Sequence, residues 1–184
     1  MERCTVARMA GFTLWELLIA LAIVGTLASL AAPAFNTLVL DSRRTTDVNA
    51  FVLAVQLARS EAAKRSRPVV LCKTADGLRC GGKEIRFDAG WMVFVNEDGA
   101  RPPHRSALEP LLYAHAPVSE GAITGNRDVF EFRPLQRRSV NGTVTFCDRR
   151  GSAAARAVIV SYTGRPRVAT VDPSGRPLVC AGFP

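Results

Sequence analysis

Two groups of residues in this chain have types and spacings that could do chemistry. Glu16 is the only ionisable residue in the 24 residues from Phe12 to Phe35. That stretch is long enough to span a bilayer as a helix. A carboxylate inside such a span costs roughly 2.5–3.5 kcal/mol at the centre and less near an end, so it needs a cationic partner. If the backbone is cut between Gly11 and Phe12, the new amine lies four residues before Glu16 and is positively charged. A second copy, shifted along the membrane normal, could bring its amine to this Glu16. The pattern reads as an address and an assembly device together, working through charge pairing if the chain is cut there.

The second group is Tyr162-Thr163-Gly164-Arg165-Pro166-Arg167, which lies between two strand-like runs. Gly164 permits the backbone angles of a tight turn, and Pro166 restricts the flank. On an extended flank, side chains two residues apart leave on one side, roughly 6–7 Å apart. That spacing suits neighbouring phosphates, which guanidinium groups bind bidentately. Arg149, Arg150, Arg156 and Arg176, and the pair Arg137-Arg138, are candidates to widen the patch. The plainer alternative is a solvated hairpin whose arginines keep a sheet edge from pairing.

Charge favours an anionic partner. Without residues 1–11 the chain has 22 basic and 15 acidic residues. Residues 127–184 hold ten arginines against four acids, while 67–126 are balanced at seven each. Such an Arg-dominated segment points first to nucleic acid. The chain has 21 Arg and three Lys, so a general Arg bias decorating a solvated face is the competing explanation.

Enzymatic constellations are missing from the sequence. His104 and His115 are the only histidines and have no triad-like context. No HExxH, Walker A or GxGxxG occurs, and no cofactor or metal is expected. Glu97-Asp98-Gly99 reads as a turn. Cys4 would leave with the first 11 residues. Cys72, Cys80, Cys147 and Cys180 remain, an even number suited to two disulfides in an oxidising compartment. Three connectivities are open; Cys72–Cys80, over Asp76-Gly77, and Cys147–Cys180, tying the tail to a strand, are favoured. A four-Cys zinc site is the alternative, but no C-x-x-C pair occurs.

These groups must be positioned by an α+β layout. The helical pattern runs from Phe12 to about Arg65, with Val48, Phe51, Val52, Val55, Leu57 and Ala58 as its apolar stripe, and Pro68 closes it. Gly25 and Pro33 are expected to loosen it. Strands are expected at Val69–Cys72, Trp91–Val95, Val129–Phe132, Thr143–Cys147, Ala157–Tyr162 and Val168–Val171. The helix would lie across one antiparallel sheet or a pair of sheets. Residues 101–126 read as a long loop with a short strand at Leu111–Tyr113. Trp91, in an apolar run, reads as core.

The N-terminus resembles a type IV prepilin signal: Arg3 and Arg8 in a leader, Gly11 before the cut, Phe12 after it, Glu16 fifth, and Gly25 and Pro33 further on. The resemblance implies a leader (1–11) removed by prepilin peptidase, N-methylation of Phe12, a transmembrane and assembly helix (12–35) using Glu16, a helix extension (36–66) and a periplasmic domain (67–184). The rest resembles the GspH/FimT group of minor pilins and pseudopilins. Cys72, Asp76-Gly77, Cys80, Gly90-Trp91-Met92-Val93-Phe94, Phe146-Cys147-Asp148-Arg149-Arg150-Gly151, Ala157–Ser161 and Thr163-Gly164-Arg165 carry it. It implies a type IV pilin-like fold that is not an enzyme. Its partners would be other pilins, prepilin peptidase and inner-membrane lipid before assembly. Gly164, Arg165 and Arg167 resemble the Gly-Arg-x-Arg motif of FimT-type minor pilins. That implies binding of double-stranded DNA in natural transformation, with Arg149, Arg150 and Arg176 as candidate extensions. A pseudopilin of a type II secretion system, or a pilus-priming subunit without DNA binding, remains the alternative.

Overall fold

The computed structural model describes residues 11–134 and 141–180, without the side chains of Leu30, Ala32 and Pro33. Helix α1 spans Leu14–Arg65 and is continuous past Gly25 and Pro33. It begins at a cap: the Thr13 hydroxyl accepts the Glu16 backbone N–H at 3.3 Å. Thr13 and Glu16 have the spacing of a capping box, and Glu16 adds negative charge to the first turn. At the other end Lys64 and Arg65 occupy the last turn, and Ser66 turns the chain at φ 53°. That left-handed residue stops the helix where glycine is usual.

The chain divides into two units, residues 1–41 and 42–184. In the first, α1 carries an apolar stretch with a mean hydropathy of 2.2 over 18 residues. It is long and apolar enough to cross a membrane, and none of that window is buried within the structure.

In the second unit two four-stranded antiparallel sheets share one core. The strands are β1 (Val69–Lys73), β2 (Trp91–Val95), β3 (Leu111–His115), β4 (Ala122–Gly125), β5 (Val129–Phe132), β6 (Gly142–Cys147), β7 (Arg156–Val160) and β8 (Pro166–Ala169). Their orders are β3-β2-β1-β5 and β4-β6-β7-β8. Of the two sheet arrangements the sequence allows, the pair is formed. The α1 residues Val48, Phe51, Ala54, Val55, Ala58 and Ala62 recur every three or four positions and are all buried. They meet Val69, Leu71, Val93 and Phe130 of one sheet and Val144, Phe146, Val158 and Val160 of the other. Phe51 centres the core, its ring 5.6 Å from Phe87 and Trp91, 6.1 Å from Phe130 and 5.9 Å from Phe146, all edge-on. Such pairs add about 0.5–1.5 kcal/mol each beyond area burial.

Each sheet also has a covered outer face. Cys72 is joined to Cys80, folding the 74–86 loop against Val70, Met92 and Phe94. Cys147 is joined to Cys180, strapping Leu178 over Ala122, Ala155, Ala157 and Ile159.

Three details depart from the expectations. Strand β4 lies within the span read as loop; the four residues Ala122–Gly125 are too short a run for periodicity to detect. Strand β7 ends at Val160, because Ser161–Gly164 forms a turn that takes Tyr162 out of the strand. Strand β8 begins at Pro166 and ends at Ala169, two residues earlier than Val168–Val171.

Candidate functional site

The hairpin joining β7 to β8 has a three-residue loop, Tyr162-Thr163-Gly164. The Gly164 N–H donates to Ser161 O at 2.8 Å, and the Ser161 N–H donates to Arg165 O at 3.0 Å. Gly164 sits at φ 73°, the left-handed residue that lets a type I turn fit the twist of two strands. The Ser161 hydroxyl accepts the Arg165 N–H at 3.1 Å and lies 3.0 Å from the Thr163 hydroxyl. The local sequence therefore holds the start of β8 in place from both sides of the bulge.

Cross-strand register sets the direction of the arginines. Arg167 stands opposite Ile159, and Ile159 packs on the outer face of its sheet. Ser161, two residues on, shares that face, and so does its partner Arg165. Both arginines are exposed, as is Tyr162, while Gly164 is buried beneath them. Strand β8 is a sheet edge, and Pro166 at its start lacks the N–H that edge pairing uses.

The other candidate arginines are held differently. Arg176 lies in the strap, where its Nε donates to Asp172 Oδ2 at 2.9 Å. Asp172 also accepts the backbone N–H groups of Ser174 and Arg176 at 2.8 and 2.9 Å. These bonds, the Arg176 N–H foremost, hold its carboxyl below the usual range. Arg150 donates through Nε and Nη2 to the two Asp148 oxygens at 3.0 and 2.7 Å. Arg156 bonds the Ala155 carbonyl at 2.9 Å. Arg149 is exposed but follows Cys147, at the end of β6 away from the hairpin tip. Arg137-Arg138 lie outside the described residues. Among the candidates on described residues, Arg165 and Arg167 thus stand together.

Arg44, which the sequence did not single out, anchors the turn after β6. Its Nη1 reaches Asp148 Oδ2 at 3.3 Å and donates to the Ala154 carbonyl. The side chains of Arg44 and Asp148 are 8% and 7% exposed. The Arg150 hydrogen bond, followed by its N–H and the nearby charges, holds the Asp148 carboxyl low despite that burial.

At the other end of the chain, Gly11 and Phe12 are exposed ahead of α1, and Glu16 is exposed in its first turn. Arg3 and Arg8 lie outside the described residues. His115 stacks on Trp91 at 3.8 Å between ring centroids and 5° between planes. Trp91 is fully buried, so its indole serves packing. Among the described residues no group of three or more His, Cys, Asp or Glu could hold a metal ion. The four described cysteines are spent in disulfides.

An apolar N-terminal helix continuing into an antiparallel β domain is the architecture of the type IV pilin class. The chain resembles two crystal structures of the Pseudomonas aeruginosa type IV minor pilin FimU in fold. Each superposes with a TM-score of 0.51 at 18% identity; they cover 74% and 79% of this chain, and 97% and 98% of their own. Residues 7–32 match the prokaryotic N-terminal methylation motif. Residues 47–164 match the family described as type II transport protein GspH, and the chain belongs to that family. It is a minor pilin or pseudopilin, a structural rather than an enzymatic protein. Such chains are processed by prepilin peptidase, anchored in a membrane by the apolar helix and assembled with other pilins. No curated protein matches the chain in sequence.

Proposed function

We propose that this chain is a minor type IV pilin that binds extracellular double-stranded DNA, without sequence preference, for natural transformation. The observation that carries this is the β7–β8 hairpin. It presents two exposed arginines on one face, on a turn fixed by Gly164 and Pro166. Fixing the tip lowers the ordering cost of a phosphate contact. Binding through phosphates is insensitive to sequence and weakens steeply with salt.

Around that activity the rest of the molecule acts as an assembly device. Prepilin peptidase cuts between Gly11 and Phe12, and Phe12 is N-methylated. The helix over 12–35 holds the chain in the inner membrane with residues 67–184 in the periplasm, 36–66 extending the helix. Glu16 then pairs with the N-terminal amine of a neighbouring subunit, and the domain reaches the cell surface in the pilus. The family match supports a second reading: a minor pseudopilin of a type II secretion system, or a priming subunit, without a nucleic-acid role.

The test is a mobility shift of the full chain in non-ionic micelles with a 30-base-pair duplex. The parent should retard the duplex at low salt, and Arg165→Gln with Arg167→Gln should abolish the shift while melting as the parent does. A folded parent that leaves the duplex unshifted at low salt would favour the pseudopilin or priming reading.

A further inference from the structure

Where the chain leaves β4 and enters β5, a cleft of about 580 Å³ opens at the seam of the two sheets. Lys73, Lys83, Arg86 and Arg127 line it, and Asp128 is the one acidic side chain among the described lining residues. Two of the four cations are engaged. The Lys73 ammonium, 7% exposed, meets Asp128 Oδ1 at 2.7 Å. Arg86 grips Asp88 through Nε and Nη2 at 3.0 and 2.8 Å. The nearby Glu84 carboxylate accepts the Gly82 N–H at 2.8 Å. Lys83 and Arg127 are exposed and make no ion pair with any described residue.

Both are held by the surrounding structure. The Cys72–Cys80 bridge and the hydrogen bond from Gly81 N–H to Lys73 O at 2.8 Å fix the loop that carries Lys83. The Arg127 stem lies over Gly142: a Cβ there would come within 3.1 Å of Arg127 Cγ. Gly142 pairs with Val160, and Val160 pairs with Pro166, the residue between Arg165 and Arg167. Two strand spacings of about 4.8 Å put the Arg127 stem roughly 10 Å from that point. The cleft and the hairpin tip therefore share one end of the β4-β6-β7-β8 sheet, the Arg127 stem on its core-facing side and Arg165 and Arg167 on its outer side, so an occupant that touches both lies across that end.

We propose that this cleft is a second phosphate subsite, in which Lys83 and Arg127 contact the backbone of the same nucleic acid that the hairpin holds. This rests on the DNA-binding reading of Arg165 and Arg167. The occupant follows from charge: two exposed cations that make no ion pair with any described residue, in a cleft whose buried ammonium already neutralises Asp128, favour a polyanion that lies across this end from the tip. A duplex gripped at both places gains contacts without sequence preference.

The experiment is fluorescence anisotropy of a labelled 30-base-pair duplex with the full chain in non-ionic micelles, over a salt series. Lys83→Gln with Arg127→Gln should weaken binding about tenfold at fixed salt and flatten the log–log salt slope by about 1.8, two phosphate contacts' worth. Arg59→Gln with Arg67→Gln removes equal charge near the end of α1 and should shift the slope much less. If Arg127→Gln melts early, Lys83→Gln alone should flatten the slope by about 0.9. A cleft variant with the parent's slope, or one no different from the Arg59/Arg67 variant, overturns the subsite. If the hairpin variant meanwhile loses binding, the DNA-binding reading survives. A parent that binds no DNA overturns both.

Discussion

At the turn after β6 one carboxylate joins α1 to its own turn. Asp148 takes Arg44 from α1 and both the side chain and the N–H of Arg150. Arg44 is almost fully buried, so Asp148→Ala takes a carboxylate acceptor from a buried guanidinium and also ends the Arg150 hydrogen bonds. It should cost about 2–3 kcal/mol in urea unfolding. The pH dependence has a definite sign. The folded carboxyl sits below its ordinary value, so its contribution is complete above the unfolded value of about 3.9 and is lost as pH falls through the folded one. Between pH 5 and pH 2 the parent's melting temperature should fall more than that of Asp148→Ala. Equal falls would assign acid sensitivity elsewhere. Little of this was legible beforehand. Asp148, Arg149 and Arg150 stand out in sequence as a charged turn, and the Asp148–Arg150 pair is local, but the pairing of Asp148 with Arg44 spans 104 positions. Thr13 was legible in principle, since Thr-x-x-Glu ahead of an apolar run is a capping signal.

Elements were more transparent than contacts. The apolar stripe of α1 from Val48 on and the β-branched runs of β1, β2 and β5 follow directly from local pattern. Strand β4 does not, because it is four residues long, begins at Ala122, ends at Gly125 and takes its hydrogen bonds from β6. The focus of the core on Phe51 is a property of how α1 and the two sheets meet. Phe51→Ala should cost about 3–5 kcal/mol, measured by urea unfolding, since the cavity would lie among four rings that cannot all collapse into it. A cost below 1 kcal/mol would mean the helix is not the keystone of this core. Gly164 was legible as a turn residue, and the structure adds its left-handed angle and burial. Gly164→Ala should cost about 1–2 kcal/mol in urea unfolding through that angle. Duplex affinity should fall with it, because Arg165 is the next residue. Unchanged stability would show that the turn relaxes freely.

For the whole molecule, the proposed function gives the two ends separable duties. On the proposed assembly role of Glu16, Glu16→Ala should leave the β domain folded by circular dichroism while the subunit disappears from sheared pili by immunoblot. Its presence at parental levels would remove Glu16 from assembly. The basic excess of the last third was visible as composition, yet composition alone could not sort it. The fold ties Arg150 and Arg176 to acids and leaves Arg165 and Arg167 exposed together. It also brings Lys83, from a segment with no net charge, to a cleft beside Arg127.

The central claim is that the exposed hairpin makes this pilin a DNA receptor rather than only an assembly subunit. The most direct measurement is uptake of labelled duplex DNA by cells whose only copy carries Arg165→Gln and Arg167→Gln, with pili counted in the same culture. The account predicts parental numbers of pili and at least a tenfold loss of uptake. Parental uptake by that strain would contradict it.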